Sequence, residues 1–351
     1  MRAVRWMAVV VALAAGTGVL NAQGTRLDVT ATGGYMMPNN FNMAEYNRWG
    51  AGVEASWWQR TSGSEPWKAL RRYPSFGVAA SFLYIPEGTA GHRFGLAAGL
   101  RAPMWRRMEY CLMLGLSTYT KPYCLTHDPE NIFIGPWVSC LIDIGLQCNI
   151  TRRLSMKVSL VHTSNGNLYR PNKGLNYLQG GLTYAVVADE GSAGAEPGRR
   201  PAVAVGTRNE VAVTASHGLV MSRHLMQDGY YPCYDLSAAF LHYVSPVLAV
   251  GGGVDLWYNF SHTWQLPRYK DRYPLPLYAG LQAVSEAFWG PVSLRVGVGF
   301  IPLTSSRVGM RLYERVGAYY SLGHTYFGVG LNARAGMIEF VEWSVGYRIP
   351  V

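Results

Sequence analysis

The sequence predicts an all-β fold, an antiparallel transmembrane β-barrel of the outer membrane with roughly 12–16 strands. Three observations lead there. Short segments alternate apolar residues with small or polar ones at period two, which gives a strand one greasy face. The composition combines 40 glycines, 23 tyrosines and 11 tryptophans with only 15% charged residues. After the N-terminus no apolar run is long enough for a membrane helix. The same strands admit a second arrangement, an eight-stranded barrel followed by a further β-module.

The chain opens with Arg2 and Arg5, an apolar stretch from Trp6 to Leu20, and the small residue Ala22 before Gln23. This order predicts a secretory signal peptide over residues 1–22. Its apolar part, about fifteen residues, is shorter than the roughly twenty needed to span a bilayer, which argues for cleavage rather than anchoring.

The formal charge is +10, yet Lys and Arg are scattered, with no basic helix or aromatic–basic motif. With export, this argues against nucleic acid. A surface meeting anionic lipopolysaccharide accounts for the sign, as do arginines lining a lumen. The five cysteines (Cys111, Cys124, Cys140, Cys148, Cys233) are odd in number and show no metal-ligand spacing. We expect no metal, no cofactor and no assigned disulfide.

Alternation places strands near 26–36, 47–59, 74–85, 91–103, 107–120, 132–148, 152–164 and 174–187, then near 208–219, 233–245, 247–260, 274–287, 290–303, 308–322, 325–334 and 337–349. The strand at 132–148 sets Val138, Cys140, Ile142, Ile144 and Leu146 against Ser139, Asp143, Gly145 and Gln147. Val292, Leu294, Val296, Val298 and Phe300 likewise oppose Ser293, Arg295, Gly297 and Gly299. Short turns are expected at Asn149–Thr151 and Val244–Pro246, and long loops at 37–46, 121–131, 220–232 and 261–273. Residues 188–207 lack periodicity and are rich in Gly, Ala, Pro and Arg, a linker or long turn between a first half (23–187) and further strands (208–351). Unpaired strand edges are costly in lipid, so a single closed barrel is the preferred closure.

One strand changes character at its end. Along 153–164 the even positions are Leu154, Met156, Val158 and Leu160, then His162 and Ser164; the odd side carries Arg153, Ser155, Lys157 and Ser159. In a barrel the apolar side meets lipid, so His162 and Ser164 project outward near the membrane boundary. Asn176 falls on the same face of the next strand, within cross-strand reach. A serine hydroxyl becomes a nucleophile when a histidine takes its proton and a third group holds that histidine. Asn165 and Gly166, in the tight turn after Ser164, are candidate donors to an oxyanion. An interfacial His and Ser bonded to lipid headgroups is the plainer alternative.

At these residues the chain resembles the PagL family of outer-membrane lipid A 3-O-deacylases and its longer acyloxyacyl-hydrolase-like relatives. The resemblance rests on His162-x-Ser164-Asn165-Gly166, the turn Asn172-Lys173-Gly174, and the Gly- and Leu-rich strand that follows. It covers about 130–187, and Glu339–Arg348 resembles the closing strand of the longer relatives. It implies an outward Ser–His–acid triad that cleaves the ester-linked acyl chain at position 3 of lipid A without metal. Ser164 is then the nucleophile and His162 the base, with lipid A or lipopolysaccharide in the outer leaflet as partner. Where the family's acid is expected stands Asn176, which can orient a histidine without stabilising its cation by charge. Glu339 and Asp143 are distant alternatives for the acid. A non-catalytic barrel, porin-like or structural, is the competing expectation, with Arg295, Lys157 and Asp255 facing its lumen. An acyltransferase or phospholipase using the same pair is a third.

Overall fold

The computed structural model describes residues 24–38, 46–86, 88–188, 208–221, 229–261, 276–304, 310–334 and 336–351. The expected signal segment, nearly all of the 188–207 linker and most of the loops expected at 37–46, 220–232 and 261–273 lie outside them. The described residues form sixteen strands and one short helix.

In the first half these are β1 (Thr25–Pro38), β2 (Arg48–Arg60), α1 (Pro66–Leu70), β3 (Ser75–Tyr84), β4 (Arg93–Trp105), β5 (Met108–Tyr119), β6 (Ser139–Asn149), β7 (Leu154–Ser164) and β8 (Leu175–Ala188). In the second half they are β9 (Asn209–Met221), β10 (Tyr230–Ser245), β11 (Leu248–Asn259), β12 (Leu277–Trp289), β13 (Val292–Thr304), β14 (Leu312–Leu322), β15 (Thr325–Arg334) and β16 (Met337–Pro350). Every neighbouring pair is antiparallel.

The strands close as two barrels of eight, β1–β8 and β9–β16. β1 pairs with β8 and β9 with β16, so neither sheet has a free edge. The preference for a single barrel is thereby corrected in favour of the alternative, with the second β-module itself a closed barrel. Two short closures satisfy the requirement that lipid imposes on backbone donors as well as one wide closure does. Contacts divide the chain into two compact units, Met1–Asn165 with Pro171–Pro201, and Gly166–Arg170 with Ala202–Val351.

The two faces of the first barrel follow the alternation. On β7, Met156, Val158 and Leu160 are exposed outward, while Ser155, Lys157, Ser159, Val161 and Thr163 are buried in the lumen. An apolar outward belt of this kind is costly in water and favourable against acyl chains.

That lumen holds buried ion pairs. Lys157 Nζ lies 3.0 Å from both Glu54 Oε1 and Asp143 Oδ2. Arg101 Nη1 meets Asp28 Oδ2 at 2.7 Å, and its guanidinium covers the Trp58 ring at 4.6 Å. Above them Phe133, Ile134, Leu83, Leu175 and Tyr177 form a buried apolar cluster. Phe133 and Ile134 belong to the β5–β6 connection, which corrects the expected strand at 132–148: Gly135-Pro136 interrupts the pairing, and β6 starts at Ser139.

In the second barrel Arg315 gathers Asp235, Asp255 and Glu342 at 2.9, 2.7 and 2.5 Å. Glu286 receives Arg295 and Arg348 at 2.9 and 2.5 Å. Trp257, Tyr278, Tyr313 and Phe340 pack as a separate buried aromatic cluster.

Candidate active site

β7 and β8 are joined by residues 165–174, and their register sets His162 directly opposite Asn176. On the other flank, β6 places Ile142 opposite His162 and Cys140 opposite Ser164. The three polar residues therefore sit on the outward-alternating side, at the last rungs of the sheet, with His162 and Asn176 half-buried and Ser164 buried at 6% exposure.

His162 Nδ1 is 2.8 Å from Asn176 Oδ1, and His162 Nε2 is 3.0 Å from Ser164 Oγ. An amide oxygen only accepts, so Nδ1 carries the proton and donates to it. Neutral imidazole then leaves the Nε2 lone pair directed at the serine, whose hydroxyl donates. The tautomer assigned by this network is the one a general base requires.

Asn165 and Asn172 are joined by a hydrogen bond. The Asn165 backbone N–H donates to Asn172 Oδ1 at 3.0 Å, closing the loop across seven residues. That backbone amide is thereby engaged within the loop, with Asn172 as its acceptor. Gly166 and Asn167 both adopt positive φ, +62° and +67°. Two successive left-handed residues give the chain the sharp reversal of a primed turn, for which glycine has no steric cost.

The alternative acids do not reach the histidine's face or are already engaged. Asp143 points into the lumen and binds Lys157, on the opposite side of the sheet from His162. Glu339 is paired with Arg334 at 3.0 Å in the second unit. Arg295, Lys157 and Asp255 do face the lumen, each inside an ion-pair network. All five cysteines are free thiols.

Two features were not legible beforehand. Cys140 and Ile142 border the site because of the β6–β7 register, which alternation within one strand does not specify. The buried segment 131–134 meets the start of β8, and its apolar run has the same signature as a strand.

Residues 203–351 match the family described as acyloxyacyl hydrolase, C-terminal domain, and residues 139–185 match lipid A 3-O-deacylase (PagL). The two matches together support a PagL-family assignment. The second match spans β6, β7 and most of β8, and so contains all three hydrogen-bonded residues; the first takes in every strand of the second barrel. Among solved structures, the outer membrane enzyme PagL is similar at 15% identity over 45% of this chain and 98% of that one, with a TM-score of 0.35. A Rh. blastica porin variant is similar at 12% identity over 93% of this chain and all 100% of its own, with a TM-score of 0.22. At these scores the structural likenesses decide nothing, and the PagL assignment rests on the family matches. No curated protein matches the chain.

Proposed function

We propose that this PagL-family chain is an outer-membrane carboxylic ester hydrolase that removes an ester-linked 3-hydroxyacyl chain from lipid A. The observation that carries the reading is the hydrogen-bonded series Ser164–His162–Asn176 on the outward face of the first barrel. Ser164 belongs to the outward-alternating side of β7, the side of the exposed Leu160, and is itself 6% exposed.

In this mechanism Ser164 Oγ attacks the ester carbonyl as His162 Nε2 takes its proton. The tetrahedral oxyanion accepts hydrogen bonds from turn N–H groups, with Gly166 as the donor in place of the committed Asn165 amide. Collapse returns the proton from Nε2 to the departing sugar oxygen and leaves an acyl-serine. Water, deprotonated by the same nitrogen, then releases the fatty acid. Asn176 keeps the imidazole in its tautomer throughout.

The test is lipid mass spectrometry of lipopolysaccharide incubated with purified protein. Wild type releases a free 3-hydroxy fatty acid, and Ser164→Ala releases none while the barrels still migrate as folded species on unheated gels. Unchanged release by the variant would sink the serine mechanism. Appearance of the acyl chain on a second lipid would indicate transfer instead of hydrolysis.

The amide at position 176 favours one other reading, a non-catalytic barrel that retains the fold. It predicts no acyl release from wild type. A porin-like form of that reading is disfavoured by the ion pairs and apolar clusters buried inside both barrels.

A further inference from the structure

The outer end of β8 carries Asn176 only two residues inside the sheet: pairing with β7 stops at Thr163↔Leu175 and pairing with β1 at Pro38↔Leu175. Terminal rungs fray unless something beyond them holds the chain. Here that role falls to the β5–β6 connection.

Lys173 N–H donates to Ile132 O at 3.3 Å and Gly174 N–H to Phe133 O at 3.2 Å. The two amides that precede β8 thus end on carbonyls of a buried loop. Gly174 has φ +68°, so the chain turns sharply where it is held. The neighbours of Asn176 are clamped on the lumen side, since Leu175 and Tyr177 are each 2% exposed and pack in the cluster that includes Phe133 and Ile134. Tyr46 closes on the Phe133 ring edge-on at 5.1 Å.

The loop owes its own shape to one side chain. Asn131, fully buried, accepts the amides of Phe133 and Ile134 at Oδ1 (3.0 and 3.1 Å) and donates from Nδ2 to Lys121 O at 2.5 Å. It therefore fixes the two carbonyls, of Ile132 and Phe133, that receive the start of β8.

We propose that Asn131 is a positioning residue for the Ser164–His162–Asn176 site: through the Ile132 and Phe133 carbonyls it holds Gly174 and so sets where Asn176 meets His162. The inference rests on the hydrolase reading above for its kinetic consequence, and on the loop alone for its structural one. Misplacing a group that orients a base lowers the chemical step while leaving lipid binding intact.

The experiment pairs two measurements on the full-length protein in detergent micelles. With lipopolysaccharide as substrate, Asn131→Ala lowers kcat about tenfold with KM unchanged, and Asn131→Asp, which keeps the acceptor and loses the donor, lowers it by less. By hydrogen exchange, the segment containing Lys173 and Gly174 loses protection in the alanine variant, while β7 and the second barrel keep theirs. A purely stabilising role would raise exchange throughout the first barrel and leave kcat per folded molecule unchanged, and that result overturns the proposal. So does unchanged exchange at 173–174. Should the alanine variant not assemble, the aspartate variant is decisive by the same two signs. If wild type releases no acyl chain, the hydrolase reading fails, and exchange at 173–174 still judges the loop's hold on β8.

Discussion

Asn176 Oδ1 accepts a hydrogen bond from His162 Nδ1 at 2.8 Å, across a single rung between β7 and β8. The geometry is that of an orienting partner, and the charge is missing. In the proposed mechanism Nε2 takes the serine proton and the imidazole becomes a cation, which an amide stabilises less than a carboxylate does. A charge-assisted hydrogen bond exceeds a neutral one by about 1–1.5 kcal/mol, or about tenfold in rate. Asn176→Glu is therefore expected to raise kcat for acyl release by about tenfold, and Asn176→Ala to lower it, both measured by fatty-acid release from lipopolysaccharide. A glutamate variant slower than wild type would show that the site is built around the amide.

The bond from Asn165 N–H to Asn172 Oδ1 closes the loop that follows Ser164. Asn172→Ala removes the acceptor, leaving a local loss of about 1 kcal/mol. Because that loop begins at the residue after Ser164, acylation of Ser164 by a fluorophosphonate probe is expected to slow several-fold, with the melting temperature of the barrel nearly unchanged. Equal labelling rates in variant and wild type would remove Asn172 from the site.

Much of this was legible along single strands. In β7 the change from Leu154, Met156, Val158 and Leu160 to His162 and Ser164 locates a polar pair on a lipid-facing side, because period-two alternation is a local property of extended chain. Barrel closure was not legible, since pairing β1 with β8 depends on register and stagger between distant segments. For the same reason Ile132-Phe133-Ile134 read as strand: burial in a barrel mouth and burial in a sheet leave the same apolar run. The commitment of Asn165 N–H escaped because its partner is a side chain seven residues away.

Lys157 holds Glu54 and Asp143 inside the first barrel, with all three side chains at or below 10% exposure. Lys157→Met strands two carboxylates in the lumen with no cation beside them. Breaking a buried pair by deleting one partner costs about 3–5 kcal/mol. We expect the first barrel to unfold at markedly lower temperature in the variant, seen as early loss of its folded band on gradient-heated gels. The triple variant Lys157→Met, Glu54→Gln, Asp143→Asn is expected to recover much of the loss. If the single variant melts like wild type, the trio contributes nothing to the fold.

The thiols give an independent check on which surfaces meet water. Cys111 and Cys233 are buried in the lumens, and Cys140 and Cys148 lie on the outward faces of β6. Cys124 alone sits in a described loop, where its Sγ lies 3.3 Å from Thr126 Oγ1. That hydrogen bond, with backbone bonds from Thr126 and His127, holds the Cys124 thiol below its ordinary range. Since the thiolate is the reacting form, a lowered value keeps Cys124 reactive to lower pH than a free thiol. A water-soluble maleimide is expected to modify Cys124 first, with a pH–rate midpoint below that of a cysteine peptide. Thr126→Val should move the midpoint upward. First labelling at Cys140, which sits opposite Ser164, would mean that the outward face of β6 is wet there and that lipid does not cover the site.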